Sequence, residues 1–296
     1  MKIGFIGLGN MGAPMARNLA QGRHEVTGFD IAAPCPEGVL PATSAAEAAA
    51  GQDVVITMLP DGAALRAVAE EVVPAMTKGA ILLDCSTVDV ESARAVAEAA
   101  RAAGLRPLDA PVSGGTGGAE SGTLTFMVGG DEDAFGDAEP LFGAMGRRAV
   151  HCGGSGNGQA AKICNNMILG VTMIATCEAF ALADRLGLER AALYDVVSTS
   201  SGSSWSMNTY CPAPGVGPET PADHDYRPGF AAELMLKDLG LARQAAEATG
   251  AETPFGAAAH ALYRSFVEEG GRGRDFSAIL LRLAGDGAAG SPAGSS

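Results

Sequence analysis

The sequence predicts an α/β protein in which a doubly wound parallel sheet is followed by an all-α domain, joined to it by a long helix. Short β-branched runs alternate with alanine-rich helical stretches through the N-terminal half. Beyond residue 158 the strand signals almost disappear. Between the two halves, Gln159 to Leu186 forms one uninterrupted helical pattern. Strand–helix alternation favours a parallel sheet with right-handed crossovers, so we expect the sheet to be confined to the first half.

Apolar runs of four or five residues predict the strands, because strands that are buried on both faces are continuously hydrophobic. They are Lys2–Ile6, Glu25–Phe29, Val54–Met58 and Ile81–Asp84. Two further strands are predicted over Leu124–Val128 and Arg148–His151. The helices expected between them are Pro14–Gln21, Ser44–Ala50, Ala63–Val73, Glu91–Ala103 and Phe135–Met145. Asp131, Glu132 and Asp133 precede the last of these helices, and acidic residues are favoured where a helix begins.

The second half is predicted to be helical. Apolar residues of the long helix are spaced to form one face: Ile163, Met167, Val171, Ile174 and Phe180. Gly187 is placed to end this helix. Ser198 to Gly229 is rich in Ser, Gly and Pro, which predicts an ordered loop or a flap. Further helices are expected over Glu233–Thr249, Pro254–Glu268 and Phe276–Leu283.

Two domains and a tail are therefore expected. The first domain covers residues 1–158, and the second, helical domain covers residues 159–284. Residues 159–187 form the interdomain helix. Residues 285–296 form a Gly/Ala/Ser tail that we expect to be disordered.

The composition argues against several classes of partner. Of 296 residues 47% are hydrophobic, which is ample for a buried core. The net charge is −14 and no basic tract occurs, so we expect neither nucleic acid nor an anionic membrane as a partner. No uninterrupted apolar run approaches the roughly 18 residues that span a bilayer. The first predicted strand begins at Lys2, which leaves no targeting peptide, and we expect a cytoplasmic protein.

Cysteine and histidine show no metal-binding spacing. The six cysteines form no C-x-x-C pair, and the four histidines form no H-E-x-x-H motif. We therefore expect no metal ion, and we expect free thiols in a reducing compartment.

A glycine-rich motif follows the first predicted strand: Gly7-Leu8-Gly9-Asn10-Met11-Gly12. Its glycines permit a tight turn and close approach of the backbone to a pyrophosphate, and the next helix adds a partial positive charge. The second strand ends at Asp30, where a carboxylate can bind an adenosine ribose and repels a 2′-phosphate. A glycine-rich turn without a ligand is the alternative. The strand–turn–helix context favours a Rossmann-type dinucleotide-binding domain that prefers NAD to NADP.

Two more predicted strand ends fall where ligands bind in open α/β sheets. The third strand runs into Leu59 and Pro60, and the fourth runs into Thr87. The residues themselves leave two interpretations open, namely cofactor-binding loops and plain connections.

Four segments in one order along the chain carry a family resemblance. They are Gly4 to Gly12, Asp109 to Gly115, Gly158 to Asn166 and Leu234 to Ala242. With them the sequence resembles the β-hydroxyacid dehydrogenases over its whole folded length, and it is most similar to the members that act on 3-hydroxyisobutyrate. The resemblance implies that the first domain binds NAD and that the helical domain serves substrate binding and oligomerisation.

The resemblance also implies roles for individual residues. Lys162 matches the catalytic lysine, which acts as general acid/base. The turn Ser113-Gly114-Gly115 matches the one that binds the substrate carboxylate. Asn166 matches a substrate contact, and Lys237 matches a lysine beside the nicotinamide and substrate. Cofactor contacts are matched by Leu59, Pro60 and Thr87. One family cofactor contact, an asparagine, is Ala64 in this chain, which puts one hydrogen bond to the cofactor in doubt.

The implied roles agree with the chemistry of these residues. Lys162 and Asn166 are four residues apart and share one helix face. A lysine acts as a base only if its pKa falls from about 10.4 toward roughly 7–8, through burial or a neighbouring cation. Lys237 is our hypothesis for that cation. The glycines after Ser113 leave backbone N–H groups unobstructed for a carboxylate.

The activity implied by the resemblance is oxidation of 3-hydroxyisobutyrate to methylmalonate semialdehyde with NAD, a step of valine catabolism. The alternative is another member of the family, a reductase of tartronate or succinate semialdehyde. Pro212 to Gly229 and Met235 favour the first. Imine reduction and a non-catalytic NAD-binding scaffold are disfavoured, since such relatives lack the lysine at position 162. Alanine-rich helices bury little surface alone, so we expect a homodimer or homotetramer.

Overall fold

The computed structural model describes residues 1–285. The chain divides into two compact units, Met1–Lys162 and a second that begins at Ile163. Of the expected tail, 285–296, all but Gly285 lies outside the described residues.

The first unit is built on a twisted sheet of nine strands. These are β1 (Lys2–Ile6), β2 (Glu25–Phe29), β3 (Leu40–Pro41), β4 (Val54–Thr57), β5 (Ile81–Asp84), β6 (Arg106–Asp109), β7 (Val112–Ser113), β8 (Leu124–Gly130) and β9 (Gly146–His151). The strand order is β3-β2-β1-β4-β5-β6-β8-β7, and β9 also pairs with β8. Strands β1 to β6 are parallel, whereas β8 runs antiparallel to β6 and β7. The predicted parallel sheet is confirmed.

Helices cover the sheet on both faces. They are α1 (Gly12–Gln21), α2 (Ala45–Ala49), α3 (Gly62–Val72), α4 (Val90–Ala102), α5 (Gly115–Ser121) and α6 (Glu132–Met145). Alternate residues of each central strand enter different apolar clusters, as Ile3 and Phe5 of β1 do on one face and Ile6 does on the other. Strands of this kind are buried on both sides, which explains why they appeared as continuous hydrophobic runs.

The strand order reverses at β1, and this places the functional edge of the sheet. From β1 the sheet grows toward β2 on one side and toward β4 on the other. The loops that leave β1 and β4 therefore diverge and open a crevice beyond their carboxyl ends, where ligands bind in open α/β sheets.

The sequence did not predict four of these elements: β3, β6, β7 and α5. The strands β3 and β7 have two residues each, too few to show a period. Pro107 lies within β6 opposite Leu82 of β5, but the Arg106 N–H is the one that points toward β5. The proline nitrogen faces the other side, where β8 pairs only with Leu108 and Asp109, so no ladder bond is lost. Helix α5 contains three glycines in seven residues, against helix propensity.

The second unit is helical, as predicted. Its elements are α7 (Asn157–Leu186), which starts in the first unit, and α8 (Arg190–Val197), α9 (Trp205–Asn208), α10 (Ala232–Thr249), α11 (Pro254–Phe266) and α12 (Ile279–Ala284). Helix α7 ends as expected, with Gly187 in the left-handed region at φ +73°. Helices α8 and α9 were not predicted, since each is too short for a clear apolar period.

Helix α7 also meets the length and composition of a membrane span, and it is the one helix among residues 1–285 that does. Half of that stretch is buried within the protein, and the core helix of a soluble protein passes the same test. Polar side chains such as Asn166 and Thr172 interrupt the apolar residues of this helix. It is therefore not an uninterrupted apolar run of the roughly 18 residues that span a bilayer.

One buried carboxylate binds the Ser/Gly/Pro-rich segment of the second unit at two places. Asp275 is fully buried. One of its oxygens accepts hydrogen bonds from the Tyr210 hydroxyl at 2.9 Å and from the N–H groups of Gly229 and Phe230 at 3.0 Å. The other oxygen accepts from the N–H and hydroxyl of Ser277. Five bonds on one side chain thus hold the predicted flap to the start of the last helical segment.

Candidate active site

The glycine-rich motif joins β1 to α1 as a tight turn. Gly7 has φ +94°, a conformation that side chains disfavour, and its N–H donates to the Phe29 carbonyl at 2.9 Å. A Cβ on Gly12 would overlap the Gly7 carbonyl oxygen. Both glycines are therefore needed for the turn itself.

Gly9 has a different environment from its neighbours. A Cβ added there would meet no described atom within 4 Å, so it would project into open space at the tip of the turn. The first turn of α1 also receives no hydrogen bond from any described capping side chain. An open backbone and an uncapped helix N-terminus together fit the approach of a pyrophosphate.

Asp30 lies at the end of β2 beside this turn. Its carboxylate accepts N–H groups from Leu8 at 2.7 Å and from Ala32 and Ala33 at 2.8 and 2.9 Å. Partial burial alone would raise the pKa of Asp30, but these three backbone bonds lower it. The residue thus remains a carboxylate and braces the glycine-rich turn, a structural role that the sequence did not suggest.

The loops after β4 and β5 are tied together. The Leu59 N–H donates to the Ser86 hydroxyl at 2.8 Å. Below them, the Thr57 hydroxyl and the Ser86 N–H both donate to one oxygen of Asp84, at 2.8 and 3.1 Å. Pro60 and Thr87 follow directly in these two loops, so the predicted cofactor contacts lie at one edge of the sheet.

Asp84 itself is enclosed in the sheet. No described group lies within hydrogen-bond reach of its second oxygen. Burial raises the pKa of Asp84 to about 6, and the neighbouring carboxylate of Asp109 adds to the effect, although Ser86 and Thr57 oppose it. The two aspartates are paired in the register of β5 and β6.

The turn Ser113-Gly114-Gly115 connects β7 to α5. Gly114 has φ +136° and Gly115 has φ +61°, so both positions favour glycine. Gly114 is exposed. The turn therefore presents backbone with no Cβ at two successive positions, as the predicted carboxylate site requires.

Lys162 lies in the second turn of α7 and is 7% exposed. The start of α7 is anchored to the sheet, because the N–H groups of Gly156 and Gln159 donate to Asp109 at 2.7 and 3.0 Å. A Cβ on Gly158 would overlap the carbonyl oxygens of Met127 and Asp109, so the helix approaches β6 and β8 closely. A lysine is rarely buried to this extent unless its side chain has a partner.

The predicted residues of the second unit form a cluster of their own. Asn166, one turn after Lys162 on α7, is 2% exposed and donates a hydrogen bond to the buried carboxylate of Asp238. Lys237 lies next to Asp238 in α10, with its Nζ 3.9 Å from that carboxylate. Asp238 lies within a segment of the family resemblance, but the sequence alone assigned it no role.

Residues that support the site were also missed in the first unit. They are Asp84, Ser86, Asp109 and Gln159. Asp84 stands at the end of an apolar run, a position that signals a strand edge, whereas Asp109 ends a strand that the sequence did not predict. A carboxylate at such a position gives no indication of its partners.

The described residues fit a nicotinamide dinucleotide. Gly9 leaves backbone open, Asp30 is a carboxylate, and the loops at Leu59 and Thr87 share one sheet edge. Within residues 1–285, no three His, Cys, Asp or Glu side chains are grouped so as to hold a metal ion.

Two family models together match nearly the whole described chain. Residues 2–154 match the NAD-binding domain of 6-phosphogluconate dehydrogenase. Residues 156–283 match the NAD-binding model of NADP-dependent 3-hydroxyisobutyrate dehydrogenase. The boundary between the two matches falls just before α7.

Known proteins are similar over almost their entire length. A probable 3-hydroxyisobutyrate dehydrogenase of Mycobacterium tuberculosis is 47% identical over 95% of this chain and 97% of its own. The NAD-dependent L-serine dehydrogenase of Pseudomonas aeruginosa is also 47% identical, over 94% of this chain and 96% of its own. A solved structure of M. tuberculosis 3-hydroxyisobutyrate dehydrogenase with L-serine superposes with a TM-score of 0.93 at 46% identity, covering 96% of this chain and 99% of that one. The chain therefore belongs to the β-hydroxyacid dehydrogenase family, and it is an NAD-dependent type of dehydrogenase with a Rossmann-like first domain.

Proposed function

We propose that this protein oxidises 3-hydroxyisobutyrate to methylmalonate semialdehyde with NAD, as a step of valine catabolism. The observation that carries the proposal is Lys162, a lysine buried to 93% in the second turn of α7, within the segment that matches the catalytic motif of the family. A buried lysine at such a position is suited to exchange a proton near neutral pH.

Lys162 removes the proton of the substrate hydroxyl in this scheme. The O–H bond breaks, the proton passes to the neutral Nζ, and the oxygen becomes the aldehyde carbonyl as the carbon loses its hydride. The nicotinamide, when bound, supplies the acceptor for that hydride. In the reverse direction, the protonated Nζ returns its proton to the carbonyl oxygen.

Ser113, Gly114 and Gly115 bind the substrate carboxylate in our proposal. The two positive φ values leave this turn without Cβ atoms, which allows its backbone N–H groups to approach an anion. Asn166 is a second substrate-binding residue, because it follows Lys162 by one turn of the same helix and is held by Asp238. Lys237 is assigned to substrate and nicotinamide from the family resemblance.

NAD is proposed as the preferred cofactor over NADP. Gly7 to Gly12 bind the pyrophosphate, with Leu59, Pro60 and Thr87 as further contacts. Asp30 is held as a carboxylate by three backbone N–H groups, and a negative charge there repels a 2′-phosphate.

L-Serine is a second candidate substrate. A relative of equal identity is named NAD-dependent L-serine dehydrogenase, and a similar structure was solved with L-serine. L-Serine carries the same carboxylate and 3-hydroxyl group as 3-hydroxyisobutyrate, so the roles of Lys162 and Ser113 would be unchanged.

Steady-state kinetics test the proposal directly. NADH absorbance gives kcat/KM for 3-hydroxyisobutyrate, 3-hydroxypropionate, glycerate and L-serine, each with NAD and NADP. We expect the highest value for 3-hydroxyisobutyrate with NAD. A higher kcat/KM for L-serine would make L-serine the assigned substrate and would leave the proposed mechanism unchanged.

Lys162→Ala tests the acid/base role. We expect kcat to fall by about 10²–10⁴-fold, the usual contribution of a general base, with NADH still bound. The matched control is Lys78→Ala, which truncates an exposed lysine of the same unit. Comparable rates for Lys162→Ala and the control would refute the assignment.

A further inference from the structure

The side chain of Gln159 has no role in the proposed chemistry, yet it is fully buried on the first turn of α7. Its Oε1 accepts the N–H of Val88 at 3.1 Å, and its Nε2 donates to the carbonyl of Ser86 at 2.8 Å. One amide therefore bonds to both neighbours of Thr87. A carboxamide can do this because it holds a donor and an acceptor on the same carbon.

The backbone of Gln159 is held from another direction. Its N–H donates to Asp109 at the end of β6, at 3.0 Å. The side chain reaches the loop after β5 while the main chain is bound to the next strand. Together these bonds fix the position of the first turn of α7 along the helix axis and its rotation about that axis.

Lys162 follows Gln159 by three residues and so lies on nearly the same face of α7. A rotation of the helix that broke the Gln159 bonds would swing Lys162 with it. The loop after β5 would lose its tie to α7 in the same event. Displacements of about 1 Å in a catalytic group lower rates by up to about 10²-fold.

We propose that Gln159 is a positioning residue, whose amide sets Lys162 on α7 and the Thr87 turn after β5 in one fixed geometry. The inference rests on the proposed function, since Lys162 is the group that it positions.

Gln159→Met is the first test, because methionine keeps the length and removes both hydrogen bonds. We expect kcat to fall by about 10- to 100-fold while the KM for the hydroxy acid changes little. Amide exchange in the 86–90 segment should become faster, and NADH should bind several-fold more weakly in a titration. Gln21→Met, an exposed residue at the end of α1, is the control and should leave all three unchanged.

Gln159→Glu is a second test that does not depend on how well the first variant folds. A protonated carboxyl accepts from Val88 and donates to Ser86 as the amide does, whereas a carboxylate has no proton to donate. Burial beside Asp109 favours the protonated form. We expect the ratio of its kcat to that of the wild type to be near 1 at about pH 6 and to fall by about 10-fold or more by about pH 9. The Gln159→Met ratio should be low at every pH.

Two outcomes would overturn the inference. One is a folded Gln159→Met protein with the kcat and the 86–90 exchange of the wild type. The other is a loss of thermal stability in both variants without any change in kcat, which marks a purely structural residue. Failure of the proposed function is distinct, because then the wild type itself oxidises none of the hydroxy acids, while exchange and NADH binding still report on Gln159.

Discussion

Asp84 is a buried carboxylate whose ionisation is unfavourable in this sheet. Its first oxygen accepts two hydrogen bonds, and its buried second oxygen accepts none from a described group. The residue lines a small cavity together with apolar side chains such as Leu82 and Val96. Ionising the group there means leaving one charged oxygen without hydrogen bonds, which explains why the pKa rises to about 6. In return, Asp84 orients Thr57 and Ser86 at the sheet edge where we propose that the cofactor binds.

This carboxylate makes stability depend on pH. The pKa of Asp84 is about 6 in the folded protein, against about 3.9 for an aspartate in an unfolded chain. The folded state therefore binds this proton more tightly, so its contribution to stability is complete below about pH 4 and is lost as the pH rises through about 6. A difference of two units corresponds to about 3 kcal/mol.

Asp84→Asn should remove that dependence. We expect the free energy of unfolding of the variant, relative to the wild type, to rise by up to about 3 kcal/mol between pH 4 and pH 8. Urea unfolding at a series of pH values measures it. Parallel pH profiles for the two proteins would show that Asp84 is ionised at no cost.

The family resemblance selects residues by the motif they belong to, and it does not identify the buried residues that act through distant partners. Lys162, Asn166 and the Ser113 turn were selected through a resemblance that covers their segments, and their chemical roles stay predictions. Gln159 and Asp109 lie in the same segments, but their importance depends on partners 50 to 73 residues away in the chain. Such pairings follow from the strand order, which one sequence does not specify.

At the scale of elements, the glycines of the β1–α1 turn have different surroundings, some packed and some open. Gly12 faces the Gly7 carbonyl and the Phe5 ring, whereas Gly9 faces open space. Gly12 is therefore required by packing, and we infer that Gly9 leaves room for the ligand.

Alanine substitutions should separate the two. Gly12→Ala forces a methyl group into the packed turn and should lower the free energy of unfolding by about 1–3 kcal/mol. Gly9→Ala should leave the thermal midpoint within about 1 °C and weaken NADH binding by about 10-fold or more, because the methyl group occupies the place of the pyrophosphate. Calorimetry and a fluorescence titration measure the two effects. Equal stability losses without any change in binding would contradict this division.

Elements with a continuous apolar run or a clear apolar face were predictable, and elements without either were not. The strands β1, β2 and β5 were predicted to the residue, and helix α7 to within two residues at its start. β7, α5 and α9 escaped prediction because two to seven residues carry too little periodicity, and because long-range pairing or caps decide them. Ser204, which caps α9 by accepting the Met207 N–H, is an example.

At the scale of the whole molecule, α7 presents large apolar side chains to solvent. Ile168 is 61% exposed, Leu182 is 58% and Leu186 is 73%. They recur at intervals of four and fourteen residues, close to whole turns of the helix, so they lie along one side of it. Such a stripe on a protein with net charge −14 supports the proposed homodimer or homotetramer.

The oligomer is testable by breaking this stripe. We expect the wild type to sediment as a multiple of the single chain, and Leu182→Glu with Leu186→Glu to shift it toward the monomer, because buried carboxylates without partners are costly. Leu40→Glu, a similarly exposed leucine of β3 in the first unit, is the control and should not change the mass. A wild-type protein that sediments as a monomer at every concentration would refute the proposed homodimer or homotetramer.

The Asp275 junction has a consequence for engineering this protein. Ser198 to Gly229 has the composition of a flexible connector, yet one acid that lies beyond it in the chain binds the Tyr210 hydroxyl and the N–H groups of Gly229 and the following Phe230. Transplanting the stretch between homologues would therefore keep these three hydrogen bonds only when the recipient supplies that acid at the same place. A chimera designed on loop boundaries alone would contain the sequence of this stretch without the carboxylate that holds it.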